Sequence, residues 1–359
     1  MKKRLLMLAF IIACLSLCLF LNSCNDKKEV TVRFDTAGGS EIESIQLEKG
    51  GKITKPEDPE REGYTFDGWY LDDEEWSFAG YTVTEDITLE AKWIGTVDYE
   101  LDGDGYKVIY CSESATSVVI PSTYNGKPVT SIGDNAFSDC ISLTSIKIPN
   151  SITSIGDNAF SWCISLTGIE IPNSVTNIGD RAFEGCTGLT NIELPNSITS
   201  IGDNAFSGCT GLTSVKIPNS VTSIGGWAFE GCTGLASIEI PNSVTSIGYE
   251  AFKGCTSLAS IKIPNSIASI DNNVFYNCTS LTSIVIPSSV TSIGDRAFNG
   301  CKSLTSIVIS SSVTSIGYDA FYGCKSLTIY CEAESQPSEW HEWWNSSNRP
   351  VVWGHKQAD

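Results

Sequence analysis

Histidine and positive charge are both scarce in this 359-residue chain. The two histidines, His341 and His355, lie close to its C-terminal end, which leaves little for histidine-based catalysis or a histidine-rich metal site. Lys and Arg total 23 against 42 Asp and Glu, so the net charge is −19. A polyanion gains nothing by releasing counterions from a protein that repels it. The composition therefore argues against nucleic acid as a partner and against electrostatic attachment to anionic lipid.

Catalytic signatures are missing as well. The chain has no Ser/His/Asp set, no phosphate-binding loop before a helix, and no pair of carboxylates that stands apart from the many others. We therefore expect no enzyme activity, no catalytic residue, no resident metal ion and no cofactor.

Residues 1–23 have the order of a secretory signal. Basic residues precede an apolar run from Leu5 to Leu21. The segment Leu21-Asn22-Ser23-Cys24 resembles a bacterial lipobox, which implies cleavage before Cys24 and a lipid on its sulfur. Residues 24–29 would then tether an extracytoplasmic protein to the bacterial outer membrane or cell surface, with the lipid as its only membrane contact. An uncleaved anchor is the alternative, because 17 apolar residues are near the minimum for crossing a bilayer.

A repeat of 23 residues organises residues 129–335 into nine units. Each unit has phenylalanine, then cysteine three residues later and leucine three residues after that, from Phe137-Cys140-Leu143 to Phe321-Cys324-Leu327. The spacing Leu143-x-x-Ile146-x-Ile148 is that of a short strand, which the proline after it ends. The Ala-Phe segment predicts a short helical turn. One such coil cannot bury its own apolar face, so the coils must stack.

The pattern LxxIxIPxxVxxIxxxAFxxCxxL closely resembles the BspA-like branch of the leucine-rich repeats. The resemblance implies a right-handed leucine-rich-repeat solenoid, mainly β with short helical turns, on a bacterial surface protein that takes part in adhesion. Residues 94–128 are predicted to form an N-terminal cap with a partial coil, and residues 336–359 a C-terminal cap. Four tryptophans of that end, Trp340, Trp343, Trp344 and Trp353, offer the apolar area needed to close the stack.

Residues 30–93 have no such period. Short alternating segments and glycine turns indicate a compact β domain. The order FDTAGG, GYTFDGWY and ITLEAKW resembles the Listeria-Bacteroides repeat, the internalin B-type repeat with a β-grasp-like fold. That resemblance implies a small spacer domain that holds the solenoid away from the membrane.

Two sets of side chains recur at the same position in successive coils, and each can be interpreted in two ways. The nine cysteines share one inward position, which favours buried reduced thiols over disulfide-linked pairs. The sequence does not decide the redox state of Cys111 and Cys331. Aspartates follow glycine in successive coils, from Asp134 to Asp203, and are either turn residues or carboxylates that share calcium.

Two sets of outward positions are candidate binding residues. On the strands, one position is charged in most coils and becomes valine at Val285 and Val308. This column is either a ladder of salt bridges between neighbouring strands or a strip that docks a protein. Around the turns, aromatic residues replace small or polar ones and form a candidate contact surface. They are Trp162, Trp227, Tyr249, Tyr276, Tyr318 and Tyr322.

These features predict a non-catalytic surface protein that presents a solenoid on a lipid anchor. The expected partner is a protein, such as host matrix or another cell-surface protein. Glycan capture and a purely structural role as an envelope spacer are the alternatives.

Overall fold

The computed structural model describes residues 29–61 and 64–356. That part of the chain contains 27 strands and no helix. The chain divides into two compact units, Met1–Gly95 and Thr96–Asp359.

The first unit is one mixed sheet around a small core. Its strands are β1 (Glu29–Asp35), β2 (Ile45–Glu48), β3 (Tyr64–Leu71), β4 (Glu74–Glu75) and β5 (Ile87–Gly95). The order is β2-β1-β5-β3-β4, with β1 and β5 parallel at the centre and the other neighbours antiparallel. Val32, Trp69 and Leu89 are buried in its core. The prediction of a small β domain is confirmed.

The second unit begins with a hairpin and continues as a solenoid. The hairpin is β6 (Val97–Asp102) and β7 (Gly105–Cys111), followed by β8 (Ser117–Val119), β9 (Thr123–Tyr124) and β10 (Lys127–Ile132). The coils then add β11 (Ser145–Lys147), β12 (Ser154–Ile155), β13 (Asn177–Ile178), β14 (Asn191–Glu193), β15 (Ser200–Ile201), β16 (Ser214–Lys216), β17 (Ser223–Ile224), β18 (Ser237–Glu239), β19 (Ser246–Ile247), β20 (Ser260–Lys262), β21 (Ser269–Ile270), β22 (Ser283–Val285), β23 (Ser292–Ile293), β24 (Ser306–Ile309), β25 (Ser315–Ile316), β26 (Thr328–Cys331) and β27 (Val351–Val352).

The coils pair with one another through parallel strands on two sides of the solenoid. The strands that follow the repeat leucine, from β14 to β26, form the front sheet together with β27 of the cap, in the order β14-β16-β18-β20-β22-β24-β26-β27. Shorter strands further along each coil form the back ribbons β15-β17-β19 and β21-β23-β25. Equivalent residues pair directly, as Ser214 does with Ser237 in front and Ser223 with Ser246 behind. The repeat length therefore sets the register.

A third side, the turn edge, carries the Ala-Phe segment of the coils, which is Val274-Phe275 in the seventh. Here the predicted helical turns are single turns closed by bonds such as Cys140 N to Phe137 O (3.2 Å). Phe137 N also donates to Ala159 O of the next coil at 2.8 Å, and this link recurs along the stack. Because the backbone N–H groups point to the neighbouring coil, they cannot build the ladder of a helix. The edge is held by contacts between coils instead.

The interior of the solenoid is one continuous core, as the stacking of the repeats predicts. The nine repeat phenylalanines are each at most 1% exposed, and consecutive rings lie nearly parallel with centroids 5.0–5.7 Å apart. The repeat cysteines and leucines are buried beside them. Stacked coils thus bury an apolar face that no single coil could bury.

The aspartates that follow glycine in successive coils have a structural function. Asp203 N donates to Asp180 Oδ1 at 2.8 Å, and Asp180 N donates to Asp157 Oδ1 at 2.9 Å. Further along, Asn272 Oδ1 accepts from Asp295 N in the same way, at 2.8 Å. One oxygen of each such side chain therefore accepts a backbone N–H of the next coil, which accounts for an Asp at this turn position.

Removing one of these hydrogen bonds between coils should destabilise the fold modestly. We expect Asp180→Ala to lower the free energy of unfolding by about 1 kcal/mol, because the Asp203 N–H loses its acceptor. Asp180→Asn should retain most of the stability, since Asn272 already provides an amide oxygen at the equivalent position. Guanidinium unfolding of the two variants beside the parent measures both effects. Equal losses for Ala and Asn would show that the hydrogen bond contributes nothing.

The C-terminal cap closes the stack with three of the four predicted tryptophans. Trp340 and Trp344 are buried, and the centroid of the Trp340 ring lies 4.8 Å from that of Trp344 and 5.8 Å from that of Trp353. Trp340 Nε1 donates to Val313 O at 3.2 Å. The prediction is wrong for Trp343, which is 54% exposed. It lies on the outside of the cap because its neighbours already cover the last coil.

Candidate binding surfaces

The six predicted aromatic residues all lie on the turn edge, but the fold does not bring them together. Trp162, Tyr249, Tyr318 and Tyr322 are exposed, whereas Trp227 and Tyr276 are half-buried. Among the six, the one ring contact in the described residues is Trp227 with Tyr249, edge to face at 3.9 Å between centroids. The single surface inferred from the sequence is therefore divided among separate coils.

The Trp227–Tyr249 pair is held rigidly by polar contacts. Trp227 Nε1 donates to Glu250 Oε2 at 2.9 Å, and Lys253 Nζ lies 2.6 Å from the same oxygen. Lys253 also pairs with Glu230 at 3.0 Å. The hydrogen bond to Glu250 raises the pKa of Lys253, so this side chain stays charged. The polar groups around the pair already form hydrogen bonds and ion pairs with one another. The Trp227–Tyr249 pair is therefore a structural contact between two coils.

Trp162 occupies a conformation that favours glycine. Its φ is +59°, and glycine stands at the equivalent position in six other coils, for example Gly208 at φ +72°. Its indole lies on the next coil, where a Cβ on Gly185 would be 2.7 Å from ring atoms. A non-glycine residue at such a φ costs about 1 kcal/mol. The fold alone does not require a tryptophan here.

Two isoleucines beside Trp162 were not identified from the sequence. Ile141 and Ile164 are 52% and 41% exposed, at the position directly after the repeat cysteine. The position is threonine in the next five coils and lysine in the last two. A comparison of the coils position by position would have shown this substitution. Together with Trp162 they form an exposed apolar patch on the first two coils.

Tyr318 lies at the junction of the last coil and the cap. Its ring centroid is 5.4 Å from that of His341 and 5.4 Å from the guanidinium carbon of Arg296. Beside it, a groove of about 380 Å³ runs over the back ribbon and is lined by Asp271, Asp295 and other polar side chains. In the described residues no group of three or more His, Cys, Asp or Glu is placed to hold a metal ion.

The front sheet carries the column of charges and valines predicted from the sequence. Lys216 pairs in register with Glu239, and Lys262 pairs with Val285. The structure extends the apolar end, because Val308 pairs with Tyr330 and Tyr330 with Val352. We name this set the front column. Its members are Lys147, Glu170, Glu193, Lys216, Glu239, Lys262, Val285, Val308, Tyr330 and Val352.

The charges of the front column do not form the salt-bridge ladder that was one alternative. No ion pair within 4.0 Å joins any of them in the described part of the chain. Glu170 lies opposite Glu193 in an isolated bridge, where two like charges face each other. Like charges directly opposite on neighbouring strands are destabilising. These side chains are exposed and have no ion-pair partner in residues 29–61 and 64–356.

Two grooves open along the front column. One, of about 380 Å³, is lined by Glu170, Glu193, Lys216 and prolines that follow the strands. The other, of about 270 Å³, is lined by Val285, Val308 and the side chains around them. Val285 is the most exposed of the large apolar residues in the described chain, at 67%.

The eleven cysteines of the described chain are all free and buried. Eight of the nine repeat thiols donate to a phenylalanine carbonyl of the previous coil, as Cys232 Sγ does to Phe206 O at 3.1 Å, whereas Cys140 Sγ donates to Cys111 O at 3.9 Å. Burial raises the pKa of Cys232 to about 12. Cys111 and Cys331, whose state the sequence left open, are free thiols at the two ends of the core. The predicted lipidation site, Cys24, and the signal lie outside the described residues.

Nothing in the described chain is a membrane-spanning helix, since no helix there reaches the necessary length and hydropathy.

Family models match both units of the chain. The model described as BspA type leucine rich repeat region matches residues 105–235 and 199–328. The Listeria-Bacteroides repeat domain matches residues 31–92. Two relatives from Evansella cellulosilytica are a "Putative membrane protein", 39% identical over 97 residues, and a "Putative Gly-rich membrane protein", 43% identical over 81 residues. The matches cover 25% and 21% of this chain but only 15% and 9% of those relatives.

Solved structures of leucine-rich-repeat proteins also resemble the chain. The leucine rich repeat protein of T. pallidum is 29% identical, over 58% of this chain and 88% of that one, with a TM-score of 0.44. A leucine rich cell surface protein from Faecalibacterium prausnitzii is 26% identical, over 74% of this chain and 98% of that one, with a TM-score of 0.34.

Proposed function

Because this chain belongs to the BspA-type leucine-rich-repeat family of cell-surface proteins, we propose that it is a non-catalytic surface protein that binds another protein through its solenoid. The first unit would act as a spacer, and Cys24 would carry the lipid that anchors the chain outside the cytoplasm.

The front column is the observation that supports this proposal most directly. Its charges have no ion-pair partner among the described residues, and exposed Val285 and half-buried Val308 lie beside a groove. Neither feature stabilises the coil that carries it. An interface with a second protein would satisfy the charges and remove the valines from water. The Trp162 patch, at the other end of the solenoid, is a second exposed surface of the kind that anchors interfaces.

Glycan capture is less well supported. Stacking on a sugar needs an open aromatic face, with a polar group at its edge such as Tyr and Trp provide. On this turn edge the predicted rings are dispersed, and the pair that does meet is packed edge to face. We therefore rank protein binding first, and a spacer without any ligand below it.

Binding is tested with the chain lacking residues 1–23 and carrying Cys24→Ser, immobilised and exposed to purified host matrix proteins and bacterial surface proteins. We expect saturable binding of at least one protein. The double variant Val285→Asp/Val308→Asp should weaken it at least tenfold, because two apolar contacts, one exposed and one half-buried, become charged. A matched control, Lys302→Asp on the turn edge, should bind like the parent. Absence of any binder from both panels would count against the proposal.

Anchoring needs a separate test in intact bacteria. Cys24→Ser should abolish incorporation of radiolabelled fatty acid and move the protein from the membrane fraction to a soluble or uncleaved form. External protease should digest the parent protein on intact cells. Unchanged labelling of the Cys24→Ser variant would refute the lipid anchor while leaving the binding proposal in place.

A further inference from the structure

The back of the solenoid is interrupted between the sixth and seventh coils, where β19 and β21 do not pair. We propose that this junction is a hinge. The side chain of Asp271 separates the two coils at the back, and the two parts of the solenoid pivot on the front sheet and the turn edge, which stay joined. The inference goes beyond the proposed function and does not depend on it.

The hydrogen bonds that join the back of most neighbouring coils are missing at this junction in the described chain. Gly294 N donates to Ile270 O at 2.8 Å, but Asp271, at the same position one coil earlier, makes no such bond. Thr291 donates to Ala268 O through its N–H at 2.9 Å and its hydroxyl at 3.2 Å. Ala268 itself has no hydroxyl, and its N–H makes no equivalent bond to the sixth coil. The Cα atoms of β19 and β21 are also farther apart than those of β21 and β23.

A side chain at a position that is otherwise glycine accounts for the separation. In the fifth to ninth coils this position is Gly225, Gly248, Asp271, Gly294 and Gly317. A Cβ added to Gly248 would lie 2.5 Å from the backbone nitrogen of Gly226, and one added to Gly294 would lie 2.7 Å from that of Asn272. Steric repulsion prevents contacts this short. Because Asp271 does carry a Cβ, the seventh coil cannot stack on the sixth at the regular spacing.

The aspartate bond between coils is missing at the same junction. Tyr249 of the sixth coil stands where an aspartate accepts the N–H of the next coil elsewhere, and it offers no carboxylate. Asn272 N donates instead to Oδ1 of its neighbour Asp271, at 2.8 Å. This bond lies within one coil, so it does not join two. At the next junction the link returns, because Asn272 Oδ1 accepts from Asp295 N at 2.8 Å.

A second interruption of the back pairing, between β13 and β15, has neither of these features. Gly202 keeps the glycine position there, and Asp203 N still donates to Asp180 Oδ1 at 2.8 Å. Since no side chain separates those coils, the hinge is assigned to the sixth and seventh coils alone.

The other two sides of the junction remain joined. On the front sheet β20 pairs with β22, with Lys262 opposite Val285. On the turn edge Phe252 N donates to Val274 O at 3.0 Å. Two bonded sides and one open side allow a rotation that opens or closes the back, which is hinge motion at a few residues. Because Lys262 and Val285 lie on opposite sides of the junction, this rotation changes the angle between the charged and the apolar part of the front column.

Engineered disulfides test whether the open junction closes transiently. Ser246→Cys/Ser269→Cys places two thiols across it, and Ser223→Cys/Ser246→Cys places two across a closed junction, where these serines pair in register. Each variant of the chain lacking residues 1–23 and carrying Cys24→Ser is incubated with glutathione disulfide, which is reduced as the protein disulfide forms. A disulfide needs Cα atoms within about 7 Å, so the hinge must close first. We expect the 246–269 link to form at least tenfold more slowly than the 223–246 link, yet to completion, as measured by peptide mass spectrometry.

Asp271→Gly tests the cause of the opening. The φ of Asp271 is not positive, so the backbone does not require glycine, and such a substitution ordinarily destabilises through the freedom it adds to the unfolded chain. Here it should raise the thermal midpoint by about 2–4 °C, because the coils can close. It should also make the 246–269 link form as fast as the 223–246 link. Gly225→Asp, which places the same obstacle at the closed junction before the fifth coil, should lower the midpoint and slow the link from 223 to 246.

Three results would overturn the hinge. Equal rates for the two links in the parent background would show that the coils are not separated. Complete failure of the 246–269 link in a folded protein, checked by circular dichroism, would show a fixed gap without motion. A lower thermal midpoint for Asp271→Gly would show that this side chain does not separate the coils.

Discussion

Cooperative unfolding is expected when the pH rises from about 9 to about 10, because the core is lined with thiols that cannot ionise while they are buried. Burial raises the pKa of eight of them from an ordinary value of 9.0, to about 12 for Cys232, Cys278 and Cys331. The other five thiols whose pKa is raised by burial are Cys163, Cys186, Cys209, Cys255 and Cys301.

The sign and size of the effect follow from proton linkage. Near pH 7, well below the ordinary pKa of 9.0, the thiols are protonated in both the folded and the unfolded chain, so they contribute no pH dependence there. Above pH 9 the unfolded chain releases these protons and the folded chain retains them, which favours unfolding by about 1.4 kcal/mol per thiol at pH 10. Eight thiols together amount to about 11 kcal/mol, as much as the whole stability of a typical domain. The loss continues towards pH 12, where the folded thiols themselves begin to ionise.

Far-UV circular dichroism between pH 7 and 11, with reductant present, measures this transition. Cys232→Ala/Cys278→Ala serves as the control. It should be less stable than the parent at pH 7 but lose stability with pH about one quarter less steeply, since two of eight thiols are gone. A solenoid that keeps its spectrum to pH 11 would show that the buried thiols do not govern its alkaline stability.

Replacement of a central phenylalanine should allow the two halves of the solenoid to unfold separately. Phe229 is fully buried, and its ring lies between those of Phe206 and Phe252, with centroid distances of 5.4 and 5.5 Å. Phe229→Ala should cost about 3–5 kcal/mol, because it removes this ring and leaves a cavity. Since each coil contacts only its neighbours, the coupling between the two halves should weaken at that point. Guanidinium unfolding should change from one transition to two.

Tyr322→Ala is the matched control for that experiment. It also truncates an aromatic side chain on the turn edge, but one that is 52% exposed. We expect a change of less than about 0.5 kcal/mol and a single transition. A similar loss for both variants would mean that the stacked phenylalanine column does not hold the coils together.

The architecture could be predicted from the sequence because it depends on local spacing. Strands at Leu143-x-x-Ile146-x-Ile148 turn alternate side chains inward in any coil of this length, and a constant repeat aligns each coil with the next. The burial of phenylalanine, cysteine and leucine follows from the same geometry. Helical turns were predicted where the structure has single turns, because hydrogen bonds to the neighbouring coil, absent from any one coil alone, replace those within a helix.

The candidate surfaces could be predicted only in part. Val285 and Val308 were recognised because valine interrupts a column of charges; Val285 is exposed, but Val308 is half-buried. Ile141 and Ile164 were missed because their exposure depends on how the turn edge is built. The Trp227–Tyr249 contact could not be foreseen, since it joins two different positions of consecutive repeats.

The sequence by itself determined the solenoid, its register and its core, because these follow from the order of side chains within 23 residues and from their exact repetition in length. Only the tertiary structure decided which outward side chains form hydrogen bonds or ion pairs with other side chains of the described chain and which do not. Trp227 donates a hydrogen bond to Glu250, whereas the charges of the front column have no ion-pair partner in the part of the chain that the structure describes. The reason is physical: burial depends on the position within one coil, but the pairing of exposed side chains depends on distances between coils that no single repeat encodes.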